Sequence, residues 1–161
     1  MRWRGAAAYG SGMAPAGTRR SVSLDEQLCF ALYTASRAMT SCYRTMLEAL
    51  GITYPQYLVM LVLWERGDTA VTGIGQALQL ETGTLSPLLK RLEVGGLVTR
   101  TRQTDDERSV LVSLTPAGRE MEGRTATVQE QIGEATGLSR EKMVELRETL
   151  RVLTVRLRSG S

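Results

Sequence analysis

The sequence predicts a mainly α chain built as a winged helix-turn-helix, with a two-stranded β wing and with N- and C-terminal helices forming a dimerisation region. Three observations predict it. Two short apolar helical patterns meet at a polar, glycine-containing break, Glu81-Thr82-Gly83-Thr84. Two runs rich in Val and Thr follow, separated by a wholly polar stretch, and long amphipathic patterns flank the whole on both sides. The 161 residues suffice for one compact domain with its own core and are too few for two ordinary ones. Hydrophobic residues make up 42% and charged residues 23%, the balance of a soluble globular chain, and no apolar run is long enough to span a membrane. No membrane partner is expected.

Composition removes several functions. The chain contains no histidine, so a Ser-His-Asp triad, a Cys-His dyad and a His-ligated metal site are all excluded. Two cysteines complete neither a four-cysteine zinc site nor a disulfide scaffold, so no cofactor is expected, and the reducing cytoplasm is the expected compartment. The net charge of +3 comes from the N-terminus: Arg2, Arg4, Arg19 and Arg20 stand there without an acid, leaving 16 basic against 17 acidic residues in the rest. Residues 1–22, rich in Ala, Gly and Ser and without helical period, read as a disordered tail. Residues 23–161 read as one domain, with a DNA-binding lobe at about 52–116 and dimerisation helices at 23–51 and 117–158.

Element by element, Ser23-Leu24-Asp25-Glu26 has the spacing of a capping box and opens a long helix whose stripe is Leu28, Leu32, Ala35, Met39, Cys42, Met46 and Leu50, ending at Gly51. Ile52–Pro55 makes a turn, Gln56–Trp64 a shorter apolar helix, and Thr72 caps a third helix carrying Ile74, Ala77, Leu78 and Leu80. Leu85–Val94 is the fourth, with Leu85, Leu88, Leu89 and Leu92 inward and Gly95-Gly96 at its end. Leu97–Arg102 and Ser109–Leu114 form the hairpin. Thr115-Pro116 and Ser139 open the last two helices. In the C-terminal helix Met143, Leu146, Leu150, Leu153 and Leu157 repeat at intervals of three and four, a seam suited to a homodimer.

The fourth helix is placed to enter a major groove. Thr82, Thr84 and Ser86 stand at its start as donors to phosphates or base edges, and Lys90 and Arg91 follow one turn on. Pro87, lacking an amide, belongs in a first turn, so the helix either starts near Thr84 or leaves one carbonyl unbonded. Between 82 and 102, Lys90, Arg91, Arg100 and Arg102 face Glu93 alone, a local surplus of three positive charges. At the hairpin tip Asp105, Asp106 and Glu107 repel phosphates, which leaves Arg108 as the wing contact, in a minor groove. An ordinary solvated helix and a soluble loop account for the same residues without DNA.

The segments LDEQLCFALY (24–33), ITYPQY (52–57), GTLSPLLKRLE (83–93) and DERS (106–109) resemble the MarR family, and LDEQLCFALY and ITYPQY are characteristic of its organic-hydroperoxide-resistance regulators. The resemblance runs from about Leu24 into the last helix. It implies a homodimeric winged-helix repressor on an inverted-repeat operator in double-stranded DNA, released when a cysteine in its first helix is oxidised by an organic hydroperoxide. By position Cys29 is the sensor, Tyr43 and Tyr54 match tyrosines that hydrogen-bond the sensor sulfur across the dimer interface, and Tyr33 follows one turn after Cys29. Thr82, Thr84, Ser86, Pro87, Lys90 and Arg91 fall on the recognition helix, Arg100 on the wing strand, and Arg108 matches the wing arginine.

Local sequence argues against a reactive Cys29. A helix capped at Ser23 puts it in the second turn, where the dipole is weak, with the acid Asp25 four residues before it. Only tyrosine hydroxyls brought in by tertiary structure then remain as thiolate donors, and a small buried hydrophobe is the alternative. Cys42 lies in the apolar stripe and reads as core. Because no cysteine follows Cys42, the resemblance favours a mixed disulfide between Cys29 and a low-molecular-weight thiol, with a Cys29–Cys42 bridge between subunits second. A MarR-type repressor released by a small aromatic ligand, and a thiol peroxidase, are the alternative functions.

Overall fold

In the computed structural model, which describes residues 23–102 and 110–160, the chain opens on a single 3-10 turn, Leu24–Glu26, and not on a helix capped by Ser23. The expected capping box fails for a definite reason: the Glu26 amide that the serine oxygen would cap is already donated to the Ser23 carbonyl at 3.1 Å. Gln27 then turns extended, at φ −81° and ψ 114°, and helix α1 (Leu28–Glu48) starts after it, with the Ala31 amide bonded to the Gln27 carbonyl at 3.1 Å. Cys29 therefore sits in the first turn of α1, not in the second. The tail expected at 1–22 lies outside the described residues.

The chain divides into two compact units between Ala35 and Ser36, inside α1. In the first, Leu24, Leu28, Cys29 and Tyr33 are all exposed.

The second unit contains the core. On α1 the buried positions are Tyr43 and Leu47, while Cys42, Met46 and Leu50 of the expected stripe pack half-buried beside them. Helix α2 (Tyr54–Arg66) starts two residues earlier than Gln56, with Pro55 in its first turn and with the Thr53 amide and hydroxyl donating to Gln56 Oε1 at 2.8 and 2.9 Å. Apolar on nearly every side, it buries Tyr57, Val59, Met60, Val62 and Leu63, as a helix through the middle of a core must. Next come β1 (Thr69–Ala70), α3 (Val71–Leu78), α4 (Thr82–Val94), β2 (Val98–Arg102), β3 (Val110–Leu114), α5 (Pro116–Thr136) and α6 (Arg140–Ser159). Thr72 lies inside α3 and does not cap it, since Ala70 is the residue before the helix.

The expected two-stranded wing is three-stranded at its base, all antiparallel in the order β1-β3-β2. Thr69 pairs with Val112 and Ala70 with Leu111, so the chain entering α3 is stitched to the wing. A two-residue strand carries no periodicity, which is why the sequence does not announce it. Thr115 and Ser139 cap as expected, accepting from the Gly118 and Lys142 amides.

At the wing root several elements share one node. The Thr115 amide donates to the Leu97 carbonyl at 3.1 Å, its hydroxyl donates to the Gly96 carbonyl at 2.6 Å, and the Trp64 indole donates to the Gly118 carbonyl at 2.9 Å. Gly118 lies so close to the strand that a Cβ there would stand 2.1 Å from the Leu97 oxygen.

Candidate nucleic-acid interface and cysteine sensor

Gln79 ends α3 in the left-handed region, at φ 56° and ψ 39°, and the Leu80 amide returns to the Gly75 carbonyl at 2.9 Å. Gly75 is needed there, since a Cβ would meet the Leu80 oxygen at 2.9 Å. The break between the two short helices thus lies at residues 79–81, upstream of the expected Glu81–Thr84, and Thr82 and Thr84 belong to the first turn of α4. Leu85, Leu89 and Leu92 anchor that helix, each at 1% exposure or less, which turns Thr82, Thr84, Ser86, Pro87, Lys90 and Arg91 outward. The Ser86 hydroxyl donates to the Thr82 carbonyl at 2.8 Å and keeps its lone pairs for a donor from outside. Pro87 stands inside α4, so the Gly83 carbonyl lacks its usual helical donor, the second of the two outcomes the sequence left open.

Arg100 does not point into open solvent. Its Nε and Nη2 donate to Glu93 Oε2 at 3.0 and 2.5 Å, tying β2 to the last turn of α4. The same contact holds the Glu93 carboxyl below its ordinary value, chiefly through the hydrogen bond from Arg100. The local positive surplus therefore rests on Lys90, Arg91 and Arg102, which are exposed. Arg108 lies outside the described residues.

Cys29 and Tyr33 belong to the first unit and Tyr43 and Tyr54 to the second. Cys29 is exposed, second in α1, among the amides that a helix start leaves without an intrahelical acceptor; this is the end of a helix that favours negative charge. Asp25, the expected opposing acid, is in the preceding 3-10 turn and not on α1. In the second unit the Tyr43 and Tyr54 rings lie 4.5 Å apart, Tyr57 lies 5.9 Å from Tyr43, and Trp64 meets Tyr57 edge-on at 6.1 Å. Gln129 donates to the Tyr57 hydroxyl at 3.3 Å. Beside Tyr54 a recess of about 750 Å³ opens between α1 and α2, walled by Arg37, Thr40, Ser41 and Arg44.

Burial raises the pKa of both Tyr43 and Tyr54, with the neighbouring tyrosines adding to it, and hydrogen bonding from Gln129 partly offsets the rise at Tyr43. Both therefore remain O–H donors at neutral pH. The folded state binds these protons more tightly than the unfolded chain, so their stabilisation is complete below about pH 10 and is lost as pH rises through the folded values. Replacing both by Phe should flatten the alkaline arm of the urea midpoint plotted against pH; an unchanged arm would refute this.

Sequence reasoning missed Glu93, Tyr57 and Trp64. The spacing Thr53-x-x-Gln56 was a legible start signal for α2; the partners of the other three are set by tertiary contacts alone.

The model of the SarA/Rot transcriptional regulators matches residues 41–123. An organic hydroperoxide resistance transcriptional regulator of Bacillus subtilis is 45% identical over 127 residues, covering 79% of this chain and 84% of that protein. The chain belongs to the MarR family of transcriptional regulators. Among solved structures, reduced AbfR bound to DNA, a Staphylococcus epidermidis protein, shares 38% identity at a TM-score of 0.70 over 83% of this chain and 94% of its own. Disulfide-formed AbfR shares 40% identity at a TM-score of 0.57, over 81% and 92%. These MarR relatives are regulators, not enzymes, which sets aside the thiol peroxidase reading. No described helix is long and apolar enough to cross a membrane.

Proposed function

We propose that this MarR protein is a redox-responsive repressor that binds an inverted-repeat operator as a homodimer and leaves it when Cys29 is oxidised by an organic hydroperoxide. The observation that carries the reading is Cys29 itself, exposed in the first turn of α1 within the segment characteristic of the peroxide-sensing branch. The thiolate attacks one peroxide oxygen, the O–O bond breaks, and the alcohol departs, leaving a sulfenic acid; a low-molecular-weight thiol then condenses with it, releasing water and forming a mixed disulfide. Tyr43 and Tyr54 are the donors proposed to reach the partner's sensor sulfur, and Tyr33, one turn after Cys29 on α1, is proposed as a further sensor-pocket residue. Cys42 packs against the core, which favours the small thiol over a Cys29–Cys42 bridge. The test is binding to the protein's own upstream DNA before and after an organic hydroperoxide with thiol present. The recess beside Tyr54 supports the second reading, release by a small aromatic ligand; DNA binding that ignores peroxide would select it.

Thr82, Thr84, Ser86, Pro87, Lys90 and Arg91 form the proposed major-groove face, with Arg108 as the minor-groove contact. Lys90→Ala with Arg91→Ala should weaken binding to every duplex and make log K against log salt shallower by about 0.9 per lost phosphate contact. An unaltered slope would remove them from the backbone.

Dimerisation is proposed through α6, none of whose residues is buried: of the seam expected there Leu146 and Leu157 are exposed, while Met143, Leu150 and Leu153 are half-buried. Leu146→Glu with Leu157→Glu, two exposed positions on the same face of α6, should shift the sedimenting species to monomer and abolish operator binding. A dimer of unchanged strength would place the interface elsewhere.

A further inference from the structure

The ion pair between Glu93 and Arg100 joins the recognition helix to the wing, and stability does not explain it. An exposed pair of this kind contributes little to folding. Its consequence is electrostatic. Arg100 lies on β2 two residues before Arg102, beside a helix carrying Lys90 and Arg91, where a guanidinium would otherwise meet a phosphate. Glu93 is the single acid between residues 82 and 102, and both hydrogen bonds it receives from Arg100 end on one of its oxygens.

The geometry points to Glu93 as a specificity-determining residue: a built-in anion that occupies Arg100, keeps the wing strand against the end of α4, and holds that cation off the DNA backbone. Arg100 is then a positioning residue and not a phosphate contact, a revision of the role expected for it. The gain is in discrimination. Phosphate contacts strengthen binding to all sequences alike, and a regulator is limited by the ratio of operator to bulk DNA affinity. A fourth unpaired cation per protomer on this face would raise the bulk term without adding any base readout. The inference rests on the DNA-interface reading.

The test uses the full-length protein, its upstream DNA and a scrambled duplex of equal length, with affinities measured across a range of NaCl concentrations. Glu93→Gln should raise affinity for the scrambled duplex about three- to tenfold at low salt and steepen the slope of log K against log salt by roughly 0.9 per protomer engaged. Arg100→Gln should leave the slope at the wild-type value while weakening operator binding, since the wing loses its tie. The double variant, which removes the cation and its anion together, should keep the wild-type slope and so lose the steepening of Glu93→Gln. A shallower slope for Arg100→Gln alone, with Glu93 present, overturns the proposal by placing Arg100 on a phosphate. An unchanged slope for Glu93→Gln overturns it as well. Wild type that binds neither duplex refutes the interface reading, and the inference with it.

Discussion

Cys29→Ser should bind upstream DNA as tightly as the wild type and remain bound after organic hydroperoxide and a small thiol are added, whereas wild-type affinity should fall by tenfold or more. Tenfold corresponds to about 1.4 kcal/mol of lost binding free energy, an amount that modest misplacement of two recognition helices supplies, because both half-sites lose contacts together. Intact-protein mass after treatment should show one thiol adduct per chain, absent from Cys29→Ser. Cys42→Ser should respond like the wild type, since Cys42 is packed against the core. Release of Cys29→Ser by peroxide would refute the sensor assignment, and a covalent dimer on a non-reducing gel would replace the mixed disulfide by a bridge between subunits.

Among the described glycines, Gly118→Ala should be the most destabilising added methyl. The new Cβ would stand 2.1 Å from the Leu97 carbonyl oxygen, a backbone contact that no rotamer relieves, so α5 and the wing must part. The cost should reach about 3 kcal/mol, the upper part of the usual range for overpacking. For a chain of this size that lowers Tm by roughly 6–12 °C. The Thr115 cap and the Trp64 bond to the Gly118 carbonyl are strained by the same movement. Gly123, further along α5 with nothing within 4 Å of its Cβ position, is the control: Gly123→Ala should stabilise by up to about 1 kcal/mol. Equal effects at the two sites would show that the wing root yields freely.

Gly118 stands at one end of a chain of contacts within the second unit. Tyr43 and Tyr54 touch, Tyr57 links them to Trp64, and Trp64 is bonded to the node where α5 meets the wing. Helix α2 carries three of those four aromatic residues and buries Tyr57, Val59, Met60, Val62 and Leu63 in the core around them.

Much of the fold was legible because its signals are local. Thr115-Pro116, Ser139, the inward leucines of α4 and the two strand runs each announce themselves within a turn or two of chain, and the structure places the two caps as read, buries Leu85, Leu89 and Leu92 with Leu88 half-buried, and describes the strands from Val98 and Val110. Ser23 was misread for a matching reason: the serine and glutamate have the spacing of a cap, yet main-chain bonding within the 3-10 turn had already consumed the amide, and Gln27 moved the helix start four residues on. That shift altered the chemistry read at Cys29, taking it into the first turn of α1 and removing Asp25 from its helix.

The sequence by itself determined the family, the helix order, the exclusion of histidine chemistry and the identity of the candidate cysteine, because these depend on residue type and short-range spacing. Tertiary structure alone decided which cation is occupied, where a glycine is obligatory and what the buried hydroxyls touch. Arg100 finds Glu93 seven residues away, Trp64 finds Gly118 at a separation of 54, and Gln129 finds Tyr57 at 72. No local period encodes such pairs; they form only when the packing of apolar faces brings distant polar groups together, and burial then requires partners for Tyr57 and Trp64 while the Arg100 pair stays at the surface.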